Sequence, residues 1–108
     1  MKYEVRIDNV ASGALYAIYR YVAINDSPVK AEHLLDNIQK AITSLETMPA
    51  RGSCPPEMLR WGIFDFREVF FKPYRIIYEI KGKTVFIHAV LDGRRNCEDL
   101  LQQRLLGA

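Results

Sequence analysis

The apolar and polar positions at the start of the chain change from a strand spacing to a helical one. Residues 3–7 read Tyr-Glu-Val-Arg-Ile, a period of two that places the apolar side chains on one face of a strand. From about residue 10 to residue 24 the apolar side chains recur every three or four positions. This spacing predicts a helix, which Asn9 or Ser12 would cap.

A second helix is predicted directly after the first. Ser27 is a capping residue, and Pro28 stands at the first helical position, where its missing N–H has no intrahelical partner to lose. The helical spacing then continues until Met48 and Pro49 end it. His33 falls on the outer side of this helix, so we expect a solvated imidazole. The two helices predict a helical hairpin packed on a sheet.

The chain then returns to the sheet. Residues 49–56 contain three prolines and a glycine, which indicates an irregular connection. Residues 63–71 are rich in Phe and Val and predict a strand.

The segment 74–91 predicts a β-hairpin whose two apolar runs are joined by a Gly-Lys turn. In the register that this turn sets, Ile80 faces Val85 and Arg75 faces Val90. One face of the hairpin is then apolar and suited to packing on the helices. Its residues are Tyr74, Ile76, Tyr78, Ile80, Val85, Ile87, Ala89 and Leu91.

A short helix is predicted at the carboxyl end. Asn96 can cap it, Glu98 and Asp99 suit its positive first turn, and Gly107 ends it. The element order predicts an α+β fold in one domain spanning residues 1–108. It consists of an N-terminal strand, a helical hairpin, three antiparallel strands that form one sheet, and a short C-terminal helix.

The composition is that of an ordinary globular protein, with 49% hydrophobic and 26% charged residues in a chain of 108. Cys54 and Cys97 lack the spacing of zinc ligands or of a disulfide framework. There is no glycine-rich phosphate loop, so we expect neither a metal nor a cofactor. No apolar run approaches the about 20 residues of a membrane span, so we expect a soluble, cytoplasmic protein without membrane contact.

The positive charge is concentrated in the second half of the chain. The formal charge is +2 overall, but residues 49–108 hold ten Lys or Arg against seven Asp or Glu. Lys72 and Arg75 begin one strand of the hairpin, and Arg94 and Arg95 follow the other. Antiparallel pairing should therefore bring them to the same end of the sheet.

Guanidinium groups clustered beside aromatic side chains suit phosphate backbones. Arg67 could extend such a nucleic-acid-binding surface. The alternative is that Arg75 pairs with Glu79 or Asp92 and that the other arginines only solvate a strand end. His88, on the same predicted face as Arg75, could act as a general acid or base, or could simply be a packed or hydrogen-bonded sheet residue.

Several segments together resemble the RelE/ParE superfamily of bacterial toxins over nearly the whole chain. They are Tyr-Arg-Ile-Ile-Tyr at 74–78, the strand 85–91, Asp-Gly-Arg-Arg at 92–95 and the leucine-rich tail. The Leu45 to Pro49 ending of the second helix agrees with this resemblance.

The resemblance implies a toxin of a type II toxin–antitoxin pair, neutralised by a cognate antitoxin, as a homodimer or a toxin–antitoxin hetero-oligomer. It implies one of two mechanisms. RelE-like members cleave mRNA on the ribosome, whereas ParE-like members poison DNA gyrase without a catalytic side chain. We expect the ribosome-dependent endonuclease, with the gyrase poison as the alternative, and an inert nucleic-acid-binding module as a third reading.

The resemblance also implies roles for individual residues. Arg75 matches the phosphate-contacting arginine of the nucleases and Arg95 matches the basic residue after the last strand; with His88 they form the expected catalytic set. Arg67, Lys72 and Arg94 are the expected nucleic-acid-binding residues. The sequence departs from the RelE pattern where catalytic lysines correspond to Phe66 and Glu68, and where a catalytic tyrosine falls near Leu101. Lys72, Arg67 or His88 would have to replace these groups.

Overall fold

The structure, a computed structural model, describes residues 2–107 as one four-stranded sheet with helices on both faces. The strand order is β1-β4-β3-β2, with β1 parallel to β4 and the other pairs antiparallel. This agrees with the predicted α+β class. The elements are β1 (Glu4–Ile7), α1 (Asn9–Asn25), α2 (Pro28–Thr43), α3 (Pro56–Arg60), β2 (Phe66–Phe71), β3 (Tyr74–Lys81), β4 (Thr84–Asp92) and α4 (Cys97–Leu105).

The helix caps follow the sequence closely, with one correction. Asp8, rather than Asn9 or Ser12, caps α1, because its Oδ1 accepts a hydrogen bond from the amide of Ala11 at 2.8 Å. Ser27 caps α2 as predicted. The α-helix ends at Thr43, earlier than the predicted stop, and continues as a single 3₁₀ turn over Ser44–Glu46.

The proline-rich connection is more ordered than the sequence suggested. It contains a 3₁₀ turn at Pro49–Arg51 and the short helix α3. The hydroxyl of Tyr78 donates to the carbonyl of Pro49 at 2.7 Å and accepts from the amide of Gly52 at 3.0 Å. The connection is therefore anchored to the middle of β3.

A β-bulge changes the predicted register of the hairpin. Ile80 pairs with Val85 as predicted, but the register shifts between Ile77 and Tyr78, and His88 is the extra residue on β4. Arg75 consequently faces Leu91 instead of Val90.

The bulge moves part of the predicted core to the other face of the sheet. Ala89 and Leu91 pack in a second core instead of beneath α1 and α2. Val90 packs beneath α1 and α2 in their place. The remaining predicted core residues, including Tyr74, Ile76 and Tyr78, lie on the face that packs on α1 and α2, as expected.

The two faces of the sheet carry separate cores. The first packs α1 and α2 on the sheet; its fully buried members include Ala11, Ile38, Leu45, Ile76, Tyr78, Val85 and Ile87. The second joins α3 and α4 to the opposite face through Met58, Ile77, Ala89, Leu91, Cys97 and Leu101. His33 is exposed on α2, as predicted. None of the helices within residues 2–107 has the length and apolar character needed to cross a membrane.

Gly52 is a position where the fold tolerates no side chain. A Cβ there would lie 2.5 Å from the carbonyl oxygen of Glu68 and 2.6 Å from the hydroxyl of Tyr78. Both atoms are fixed by the sheet, so Gly52→Ala is expected to lower the free energy of unfolding by about 2–4 kcal/mol. Urea denaturation followed by circular dichroism measures this loss.

Gly13→Ala serves as the matched control for Gly52→Ala. Gly13 lies inside α1 with no heavy atom within 4 Å of an added Cβ, so alanine should stabilise the helix by about 0.5–1 kcal/mol. Equal effects of the two substitutions would contradict the packing described for Gly52.

Candidate interaction surface at the basic end of the sheet

The guanidinium of Arg75 is buried and fully engaged by two carboxylates. Its Nε donates to Glu68 at 2.7 Å, and its two terminal nitrogens donate to the two oxygens of Glu57 at 2.7 and 2.8 Å. The side chain of Arg75 is 10% exposed. The alternative that Arg75 forms an ion pair is met, but its partners are Glu57 and Glu68 instead of Glu79 or Asp92. The expected role of Arg75 at a phosphate stays a prediction.

The ion cluster of Arg75, Glu57 and Glu68 stabilises the charged state of its members. The hydrogen bond from Arg75 holds the pKa of Glu57 below its usual range, although burial opposes this. The hydrogen bond with Glu57 in turn raises the pKa of Arg75, with Glu68 adding to the effect. The cluster connects β3 with β2 and α3 and so holds these elements together.

Arg67 is also occupied by the protein itself. Its guanidinium donates to the carbonyl of Gly52 at 2.7 Å and to that of Ala50 at 3.3 Å. Arg67 therefore helps to hold the proline-rich connection against β2. Lys72 is exposed in the turn between β2 and β3.

His88 lies at the bulge with both ring nitrogens in contact with carboxylates. Nδ1 is 3.1 Å from Asp8 and Nε2 is 3.0 Å from Glu79. The ring stacks on Phe86 and meets Phe66 edge-on. This geometry agrees with the alternative of a packed, hydrogen-bonded sheet histidine, because it leaves no ring nitrogen free for a substrate.

Arg94 and Arg95 are exposed to solvent, and they line a groove beside α1. The groove has a volume of about 410 Å³. It is lined by Ala17, Ile18, Tyr21, Tyr74, Asp92, Arg94 and Arg95. Asp92 binds Arg94 at 2.8 Å, and this contact lowers the pKa of Asp92.

Arg95 differs from Arg94 because it forms no ion pair within residues 2–107. It is exposed, and it also lines the continuation of the groove toward α4, together with Leu100 and Arg104. Burial raises the pKa of Tyr74 at the floor of the groove. The basic end thus combines aromatic hydroxyls, apolar surface and available positive charge.

Arg75 and Arg95 lie at the same end of the sheet, as the antiparallel pairing predicted, but on different sides of it. Arg75 contacts α3 and β2, whereas Arg95 lines a groove with α1 on the other side of the sheet. Sequence reasoning also missed Tyr21 and Arg104, which reach the groove from two helices. Tyr21 carried a signal: it is a large apolar residue on α1 outside the spacing of the buried side chains.

Removal of the Arg75 side chain should destabilise the protein strongly. Arg75→Ala leaves two carboxylates without a partner, one of them on Glu68 with a side chain 3% exposed, and is expected to lower the free energy of unfolding by about 3–5 kcal/mol. Arg94→Ala, at an exposed pair that solvent screens, should leave the free energy of unfolding close to that of the wild type. Chemical denaturation of both variants decides the point; a fully stable Arg75→Ala would contradict the structural role.

The stability of the protein should depend on pH through Glu57. Because its pKa is lowered by folding, Glu57 contributes stability above the unfolded pKa of about 4.3, and this contribution is lost as pH falls through the folded pKa. Glu57→Gln should therefore flatten the acid limb of a plot of unfolding free energy against pH. The exposed Glu98→Gln is the control, and an unchanged acid limb in Glu57→Gln would refute the assignment.

Comparisons with known proteins agree on the family. The model described as the ParE toxin of the type II toxin–antitoxin system parDE matches residues 5–97. Toxin ParE3 of Caulobacter vibrioides is 32% identical over 85 residues, which cover 79% of this chain and 81% of that protein.

Solved structures share the fold at lower sequence identity. A structure of the chromosomal ParDE system of P. aeruginosa matches with a TM-score of 0.69 at 20% identity, over 82% of this chain and 94% of that one. The RelBE2 toxin–antitoxin complex of Mycobacterium tuberculosis matches with a TM-score of 0.63 at 20% identity, over 85% of this chain and 92% of that one. A mutant E. coli RelE in the free state matches with a TM-score of 0.62 at 13% identity, over 99% of this chain and 98% of that one. The chain belongs to the ParE toxin family of type II toxin–antitoxin systems, within the RelE/ParE superfamily.

Proposed function

We propose that this toxin poisons DNA gyrase by binding it, and that it does not cleave mRNA. The observation that carries the proposal is that all three nitrogens of Arg75 donate to Glu57 and Glu68 at 2.7–2.8 Å. The nuclease expected from the resemblance needs Arg75 free to hold the scissile phosphate. A poison needs only a surface complementary to its target.

The other side chains expected in a nuclease support the same choice. Both nitrogens of His88 contact carboxylates, and Arg67 donates to backbone carbonyls. Groups engaged in this way support a mechanism that needs no proton transfer from them. Arg94, Arg95 and Lys72 remain exposed, and charge at a surface favours association with a macromolecule.

The family membership points the same way, because the resemblance implies gyrase poisoning for ParE-like members and RNA cleavage for RelE-like members. We further propose that a cognate antitoxin neutralises the toxin, since the similar structures from P. aeruginosa and Mycobacterium tuberculosis are toxin–antitoxin systems. The action would take place in the cytoplasm, where gyrase and its DNA are found.

Purified toxin, gyrase and plasmid DNA test the mechanism directly. We expect cleaved DNA complexes to accumulate after detergent and protease treatment, and transcripts in a translating extract to stay intact. Arg95→Glu should weaken the gyrase effect about tenfold, because a charge at the rim of an interface changes sign. Lys83→Glu, the same change at the far turn of the β3–β4 hairpin, should leave it unaltered.

Two results would overturn the proposal. Transcripts cut at the ribosome while supercoiling proceeds normally would establish the endonuclease in its place. Intact transcripts together with unaffected gyrase and normal growth on expression would favour the inert binding module.

A further inference from the structure

The groove beside α1 continues across the end of the sheet toward α4. Its main part has a volume of about 410 Å³, and a smaller part of about 100 Å³ reaches Leu100 and Arg104 of α4. Pockets that hold small ligands have volumes of about 300–1,000 Å³, so the groove has room for one such ligand. Four residues line both parts: Ala17, Ile18, Asp92 and Arg95.

The groove carries more positive than negative charge. Asp92 is bound to Arg94 at 2.8 Å, so these two charges offset each other. The pKa of Asp92 is lowered by its hydrogen bond with Arg94 and, to a smaller extent, by the charge of Arg95, which therefore lies close to the pair. Arg95 and Arg104 are exposed, and neither has a carboxylate partner in the described part of the chain. Two guanidinium groups are thus available to an anion, and their geometry matches phosphate oxygens.

The end of the groove away from α4 is aromatic and apolar. Tyr21 is 69% exposed, and Tyr74 is buried at the floor. Ala17 and Ile18 continue the apolar wall along α1. An exposed aromatic ring is a surface on which a nucleobase can stack, because every base has a flat π-face.

The length of the groove suits a single nucleotide. Its wall on α1 runs from Ala14 to Tyr21, which is about 10 Å at roughly 1.5 Å per residue. Arginines and an aromatic ring are thereby separated by the length of one small ligand. Inorganic phosphate would leave the ring of Tyr21 unused, and an Asp or Glu side chain of a peptide has no ring to stack on it.

We propose that this groove binds one nucleotide, with its phosphate at Arg95 and Arg104 and its base on Tyr21. The proposal goes beyond the gyrase assignment, because it concerns a ligand site that can be measured on the purified toxin alone. A toxin that traps gyrase on DNA but binds no nucleotide would refute the nucleotide site and leave the gyrase proposal intact.

Adenosine 5′-monophosphate is the probe, with adenosine and inorganic phosphate as its two halves. Titration into the isotope-labelled toxin should shift the amide resonances of Ala17, Tyr21 and Arg95. Adenosine lacks the charged group and phosphate lacks the ring, so each should bind at least about tenfold more weakly than the nucleotide.

Variants at the two ends of the groove test the two contacts separately. Tyr21→Ala should weaken binding of the nucleotide about tenfold, whereas Tyr21→Phe keeps the ring and should stay within about twofold of the wild type. Arg95→Gln should weaken it about tenfold through the phosphate. The controls are Tyr16→Ala, at a tyrosine of α1 that is 65% exposed and lines a different groove, and Lys83→Gln; both should bind as the wild type does. Circular dichroism should report an unchanged fold, because the substituted positions are exposed.

A single-stranded tetranucleotide with a 5′-phosphate identifies the source of the nucleotide. If it binds at least about tenfold more tightly than adenosine 5′-monophosphate, the site takes the end of a nucleic acid strand. Equal binding of the two assigns the site to a free nucleotide. Either result upholds a nucleotide in the groove.

Other results would overturn the proposal. Equal affinities for the nucleotide and for inorganic phosphate would reduce the groove to a simple anion site. Tighter binding of a glutamate-rich peptide than of the nucleotide would assign it to a protein partner. An absence of shifts, shifts confined to other elements, or unaltered affinity in Tyr21→Ala or Arg95→Gln would refute the site itself.

Discussion

The ion cluster of Arg75, Glu57 and Glu68 is the interaction on which the sheet face covered by α3 and α4 depends. Glu68 has a side chain only 3% exposed, and a carboxylate so buried requires a partner to remain charged. Arg75 supplies it from the neighbouring strand and binds Glu57 of α3 with its other two nitrogens. The short helix is thereby held over the sheet, with Met58 in the second core.

The arginines at this end of the sheet fall into two groups, those that bind other parts of the protein and those that are exposed. Arg75 and Arg67 act inside the protein, where they satisfy carboxylates and carbonyls. Arg94 and Arg95 act outside it, beside α1. At the same end of the sheet, one face therefore has its arginines bound to protein groups, and the other has its arginines exposed to solvent. The exposed charge of the toxin therefore lies beside apolar and aromatic side chains of α1, and the proposed binding mechanism rests on this arrangement.

Local patterns were sufficient to predict most of the fold. The spacing of apolar residues predicted α1 and α2, and Ser27, Pro28 and Asn96 marked where helices begin. The Gly82-Lys83 turn set the hairpin correctly near its tip. By contrast, α3 has five residues, too few for any periodicity, and its place is determined by tertiary contacts that no local pattern records.

The candidate site was predictable in part. Its arginines after β4 were identified because strand pairing places them at a sheet end. The groove beside them was not, since Tyr21 and Arg104 come from helices whose orientation depends on packing. The ion cluster of Arg75 was not foreseen for a related reason, because one of its two carboxylates, Glu57, belongs to the helix α3 that the sequence did not reveal.

The bulge at His88 also bears on how relatives can be compared. One extra residue reverses the inward and outward alternation of the residues after it on β4, from Ala89 to Asp92. A homologue without that extra residue would present the opposite side chains at equivalent alignment columns. A role proposed for a residue on or after the last strand can therefore be carried from one member of this superfamily to another only when the strands have been matched in three dimensions.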